Sequence, residues 1–320
     1  MKQKIYIASG LVLLLAVIFF IAKDLFFSEP GDKTNPYEYD LDELRKSDSL
    51  LVAYKETQQF IPGLEEIHGI AVDLSDRIYV AGLNGVEIYD NTGKIQKKFT
   101  LEGTARCINV DKSGNIFLGI EDHIEITYQN GKRVGKWKSE SKNSIITSIA
   151  ITSSDVYVAD AGEKSVYHYD RTGKLINRIG EKDPQNGIPG FFIPSPYFDL
   201  GIDPSGELWI VDPGRHTFNK FSFDGKLIST WGKASMGVEG FCGCCNPSDF
   251  AFLSDGSFVT SEKSIERIKV YNPDGTYKYL VATPDSFEEG TRGLDLAVDS
   301  HDRILVLDPE KKMIRIFVKN

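Results

Sequence analysis

Cysteine is scarce in this chain: four residues in 320 cannot staple a protein of this length, so the fold has to rest on an apolar core. Basic residues are in deficit, with 37 Lys and Arg against 46 Asp and Glu and a formal charge of −9. That balance removes the broad positive field a nucleic-acid binder uses, and no nucleic-acid partner is expected. Histidine is also sparse, at five residues. No Gly-x-Ser-x-Gly elbow or paired catalytic histidine stands out, which argues against a serine-nucleophile mechanism. What the chain has is apolar material, 41% of its residues, enough for one substantial folded unit.

Long apolar runs are limited to one. Residues 5–22 carry no charge and are flanked by Lys2 and Lys4 on one side and Lys23 and Asp24 on the other. As a helix this run spans roughly 27 Å, close to the hydrocarbon thickness of a bilayer. The charges before it predict a cytoplasmic start and an exported body. A cleaved signal peptide is the rival, but Phe19-Phe20-Ile21-Ala22 lacks the paired small residues of a cleavage site. The expectation is therefore a single-pass anchor over 1–27, a polar stalk over 28–48 and a body over 49–320 that lies outside the cytoplasm at the cell membrane.

From residue 67 one pattern recurs six times: a short apolar strand, a polar corner, a second strand, a third ending in an aromatic, and a Gly-Lys-type turn into a fourth. Val72, Val110, Ile151, Ile202, Phe252 and Val298 mark equivalent points, at spacings of 38, 41, 51, 50 and 46 residues. Four-stranded repeats of that length predict an all-β, six-bladed β-propeller with an N-terminal transmembrane helix. The sixth copy stops after three strands, and residues 49–60 are expected to supply the fourth, which would remove an open edge.

The third, fourth and sixth copies carry Tyr157-Val158-Ala159-Asp160, Trp209-Ile210-Val211-Asp212 and Leu305-Val306-Leu307-Asp308. These repeats resemble the NHL family over about residues 50–320. The resemblance implies a propeller; its members include lyases, lactonases, sensors and adaptors, so it does not select a function.

Propellers work at a channel mouth, where the loops entering the inner strands converge. The candidate ligand-binding residues there are His68, Arg106, Asp199, Arg215, His216, Asp249, Arg292 and Asp295. The basic members suit an anion, and the aspartates suit a divalent cation if they converge. An aspartate at a strand start also commonly does no more than bind backbone amides. Cys242, Cys244 and Cys245 crowd one loop, and Cys107 begins an inner strand predicted to face it. Such thiols suit a soft metal or an iron–sulfur centre, a disulfide, or redox chemistry. The loops 180–199 and 231–249, the first rich in aromatics, are expected to approach one another. The leading reading is a membrane-anchored propeller that binds a small ligand or a membrane protein. The alternatives are a metal or redox protein using the cysteines and a cation-dependent lyase or hydrolase at the channel mouth.

Overall fold

The computed structural model describes residues 52–320 except 140, 183, 184 and 186–188, together with Leu14, Leu15, Val17 and Phe19. The chain divides into two units, Met1–Leu41 and Asp42–Asn320, and the second holds every described strand. The run at 5–22 and the stalk fall almost wholly outside the described residues. Among those described, no helix is long and apolar enough to cross a membrane. The anchored, single-pass reading and its membrane partnership therefore find no support in the structure and are set aside.

Strands are selected by alternation, and corners by side chains that bind their own backbone. Asp90 accepts amides from Thr92 (2.9 Å) and Lys94 (3.1 Å), and Asp170 does the same for Thr172 (2.8 Å) and Lys174 (3.0 Å). Each corner then needs a left-handed residue, supplied by Gly93 (φ 78°) and Gly173 (φ 87°). The middle strands of the sheets are buried almost throughout, as at Ile304–Asp308, whereas outer strands such as Leu227–Trp231 are largely exposed.

The strands form five hydrogen-bonded sheets. One holds β2 (Ile67–Val72), β3 (Ile78–Tyr89), β4 (Ile95–Val110), β5 (Ile116–Ile120), β6 (His123–Thr127) and β7 (Arg133–Lys138). The next holds β8 (Ile146–Ile151), β9 (Asp155–Asp160), β10 (Ser165–Asp170) and β11 (Leu175–Ile179). A third holds β12 (Leu200–Ile202), β13 (Leu208–Asp212), β14 (Thr217–Phe221) and β15 (Leu227–Trp231). The fourth comprises β16 (Asp249–Phe252), β17 (Phe258–Ser261), β18 (Ile268–Tyr271) and β19 (Tyr277–Ala282). In the last, β20 (Asp295–Val298), β21 (Ile304–Asp308) and β22 (Met313–Lys319) are joined by β1 (Tyr54–Phe60), which runs antiparallel to β22.

Counted as hydrogen-bonded sheets, the propeller has five blades, which corrects the expected six. The first two sequence repeats, separated by the shortest spacing, share one six-stranded sheet. The cause is local: β3 and β4 run on through the places where a break is expected, and Leu83 still pairs with Thr104 between them. β3 pairs first with β2 and then with β4, and β4 passes on to β5.

Sheet faces pack against neighbouring faces. Tyr157, Leu208, Phe218 and Phe258 belong to one cluster that spans three sheets. Ile67, Ile70 and Val80 pack with Leu305, Ile314 and Ile316 and so join the first sheet to the last. The aromatics of 180–199 mostly serve this core, since Phe191 and Phe198 are buried and Phe192 is exposed.

Candidate functional site

The inner strands begin at one end of the channel, and their first residues pin one sheet to the next. Asp199 accepts the amide of Phe250 (2.9 Å), Asp249 that of Leu296 (2.9 Å), and Asp295 that of Ile70 (2.7 Å). Asp199 and Asp295 use their second oxygens on the amides of Leu200 (2.8 Å) and Leu296 (3.0 Å). Asp249 has one oxygen left for a neighbour and is hydrogen-bonded to the side chain of Asp295.

These carboxylates form the floor of a cavity of about 210 Å³ whose wall includes His68, Arg106, Tyr197 and Arg292. Below them the channel continues as a second cavity of about 550 Å³, lined by Cys107 and largely apolar inner-strand residues. Burial pushes Asp199 up to about 7, and the charge of Asp295 adds to it. Burial likewise pushes Asp295 up to about 6. Asp249 is driven well above the carboxylate range, first by burial and then by the charges of Asp199 and Asp295. The trio therefore holds protons that isolated carboxylates have already lost, with Asp249 the principal holder. Arg106 and Arg292 are exposed at the rim, and the His68 ring meets Glu66 at 3.3 Å. Carboxyl groups, an imidazole and two guanidinium groups thus line one small volume.

Six sequence candidates, His68, Arg106, Asp199, Asp249, Arg292 and Asp295, meet in this cavity. Arg215 and His216 do not line it. Arg215 folds back onto Asp212 and the Gly190 carbonyl, and the His216 ring bonds the carbonyl of Asn246 (2.9 Å). Their corner follows the second strand of the blade, away from the inner-strand starts.

The cysteines do not assemble as a shared centre. All four are free thiols, and among the described residues no three cysteine sulfurs come within 4.8 Å of one another. Cys107 lies in the lower channel, its thiol pushed up by burial and then by Asp295. Cys242 faces the Arg267 guanidinium at 4.0 Å. Nothing among the described residues supports a soft-metal or iron–sulfur centre built from all four.

Sequence reasoning missed a different set. Asp76, Asp299 and His301 place ligand atoms within 4.8 Å of each other and could hold a metal ion; the aspartates are buried and the histidine exposed. This group sits at the opposite end of the inner strands from the mouth, since Asp295 opens β20 and Asp299 follows its end. Repeated Asp-containing corners, DLSD at 73–76 and DSHD at 299–302, were the available signal. Also missed was a buried charge cluster behind the cysteine loop. Lys269, fully buried, donates to Glu262 (2.7 Å) and to the carbonyls of Gly240 (2.6 Å) and Val238 (3.1 Å). Charges alternating within a strand-like stretch, Arg267-Ile268-Lys269, were its sequence trace.

No protein-family model and no curated protein matches the chain. The NHL resemblance is accordingly corrected to a propeller likeness without that family assignment. Among solved structures the chain is similar to a streptogramin B lyase (TM-score 0.58, 12% identity, covering 83% of this chain and 98% of that one). It is also similar to virginiamycin B lyase from Staphylococcus aureus (0.56, 12%, covering 83% and 100%). A third is a catalytically inactive histidine-to-alanine variant of the Staphylococcus aureus enzyme with quinupristin (0.54, 13%, covering 83% and 88%). At these identities the likeness is one of fold.

Proposed function

We propose that the protein is a lyase acting at the channel mouth, opening an ester or lactone by elimination. The observation that carries this reading is the proton-holding Asp249 at the floor of a cavity whose rim bears His68, Arg106 and Arg292. Elimination takes a proton from the carbon beside a carbonyl and breaks the carbon–oxygen bond one carbon further on. His68, braced by Glu66, is the base. Arg106 and Arg292 hold the carbonyl oxygen as it gains negative charge. Asp249 supplies the proton to the departing oxygen, and burial beside Asp199 and Asp295 raises its proton affinity well above that of an ordinary carboxylate. The fold likeness to streptogramin-type lyases agrees with this choice over a binding-only propeller, the reading it replaces.

The test is turnover of quinupristin and a set of simple lactones by the full chain in oxygen-18 water. A ring-opened product with the mass of the substrate is expected. Arg106→Gln and Arg292→Gln are each expected to lower kcat/KM by roughly 10- to 100-fold, as loss of one charge-stabilising donor does. Product carrying one labelled oxygen would identify a hydrolase instead, and intact esters throughout would end the proposal.

A divalent cation belongs in this reading to Asp76, Asp299 and His301, remote from the reacting atoms. Both carboxylates already accept protein hydrogen bonds, from Ser300 to Asp76 (2.9 Å) and from His301 to Asp299 (3.0 Å). A bound ion would therefore tighten a formed turn. Manganese at about 100 times its Kd is expected to add about 2.7 kcal/mol of stability, and His301→Ala to abolish the increment without changing turnover. An unchanged melting temperature with manganese would remove the cation from this corner.

A further inference from the structure

We propose that Cys244 and Cys245 form a thiol–disulfide exchange site that reacts with a small-molecule disulfide such as oxidised glutathione, set against the wall of the mouth. The two thiols are neighbours that act on one another, yet Cys244 is exposed and Cys245 fully buried. That asymmetry divides the labour. Cys244 meets the incoming disulfide, and Cys245 is already in reach of the mixed disulfide that results.

The loop holds the pair in place. Cys245 takes a left-handed backbone conformation (φ 78°) that an L side chain adopts only when its surroundings impose it. Those surroundings include Asn246, fully buried, which donates to the carbonyls of Cys242 (2.6 Å) and Lys263 (3.0 Å) and accepts the Lys263 amide (3.0 Å). Ser195 neighbours Cys245 and lies 3.2 Å from the Lys263 ammonium. That ammonium sits 4.7 Å from the centre of the Tyr197 ring, and Tyr197 lines the mouth. Three contacts, through Ser195 and Lys263, thus link Cys245 to the cavity wall at Tyr197.

The exchange balances without another reagent. The Cys244 sulfur attacks one sulfur of the small disulfide, forms the mixed disulfide and releases one thiol. The Cys245 sulfur then attacks Cys244, closes the ring between the two residues and releases the second thiol. The protein loses two electrons and two protons, and the small disulfide gains them. Neighbouring Cα atoms are only about 3.8 Å apart, below the roughly 4.4 Å that relaxed disulfides need. The link is consequently strained and easily reduced, as suits a reversible site rather than a staple. Cys107, in the lower channel, and Cys242, against Arg267, stand outside the pair.

The experiment treats the reduced full chain with oxidised glutathione, quenches with acid and maps the digest by mass. The expected product is a Cys244–Cys245 link, two hydrogens lighter, that reopens with reduced glutathione. It should form equally in Cys107→Ser and Cys242→Ser, stop at a glutathione adduct in Cys245→Ser, and leave Cys245 unmodified in Cys244→Ser. Only an adduct in the unaltered protein, a link through Cys242, or a link that reduced glutathione leaves closed would overturn the proposal. The map of the unaltered protein decides the matter even where a variant fails to fold. Lyase turnover uses other residues, so failure of either reading leaves the other standing.

Discussion

Replacing Asp249 with asparagine is expected to lower turnover by roughly 100-fold or more, the scale of a lost general acid, while making the protein less sensitive to rising pH. Both effects come from one proton. In the unfolded chain the three floor carboxylates ionise near pH 4. In the folded protein Asp199 is raised to about 7, Asp295 to about 6, and Asp249 well above its ordinary value. The folded state binds these protons more tightly, so their stabilising contribution is complete below about pH 4. It is lost as pH rises through 6 and 7 and beyond. Asparagine can still accept the Leu296 amide and can donate to Asp295, and it carries no charge to bury. The melting temperature of the unaltered protein, with other titrations equal, should therefore fall more steeply between pH 5 and pH 8 than that of Asp249→Asn. At pH 8 the variant should match or exceed it. Paired melting and turnover profiles against pH measure both halves. An asparagine variant with full turnover would leave Asp249 as a pin between blades and remove it as the acid.

Lys269→Met is expected to cost about 3–5 kcal/mol, the range for removing one partner of a buried ion pair. Burial pulls the lysine down to about 8 and Glu262 opposes that pull. The ammonium makes three hydrogen bonds and lies 4.5 Å from the centre of the Phe241 ring. Methionine fills the volume but leaves Glu262 with Arg267 alone, at 3.0 Å, frees the Gly240 carbonyl and leaves that of Val238 only the Tyr271 hydroxyl at 3.4 Å. These carbonyls belong to the segment that leads into the cysteines, so Cys242 should become reactive toward a thiol reagent at the same time. Urea denaturation gives the energy, and the double variant with Glu262→Gln should recover part of it. A loss below about 1 kcal/mol would mean that the cluster contributes little beyond its packing.

The propeller was legible because its information is periodic: alternation along strands and a turn after each aspartate recur at every repeat. The number of separate sheets was not legible, since it depends on whether hydrogen bonding continues across a corner, as at Leu83 and Thr104. Position at the start of an inner strand located His68, Arg106 and the three aspartates, which share one cavity. The same reasoning misplaced Arg215 and His216, whose corner offers nearby partners in Asp212 and Asn246 that no spacing reveals. The Lys269 cluster escaped because a charge in a strand is read as facing solvent, whereas here carbonyls of an insertion and a carboxylate two strands' corner away satisfy it.

Strand β1 completes the sheet of β22, and Glu56 reaches Arg315 at 2.6 Å across 259 positions of sequence. A contact of that range carries a large entropic cost of bringing the partners together and rewards it only when the intervening sheets exist. During synthesis the early strand must wait, unpaired, until β22 has emerged. Partly made chains thus expose a sticky β edge, making this seam the stage at which assembly is most open to mispairing with another molecule.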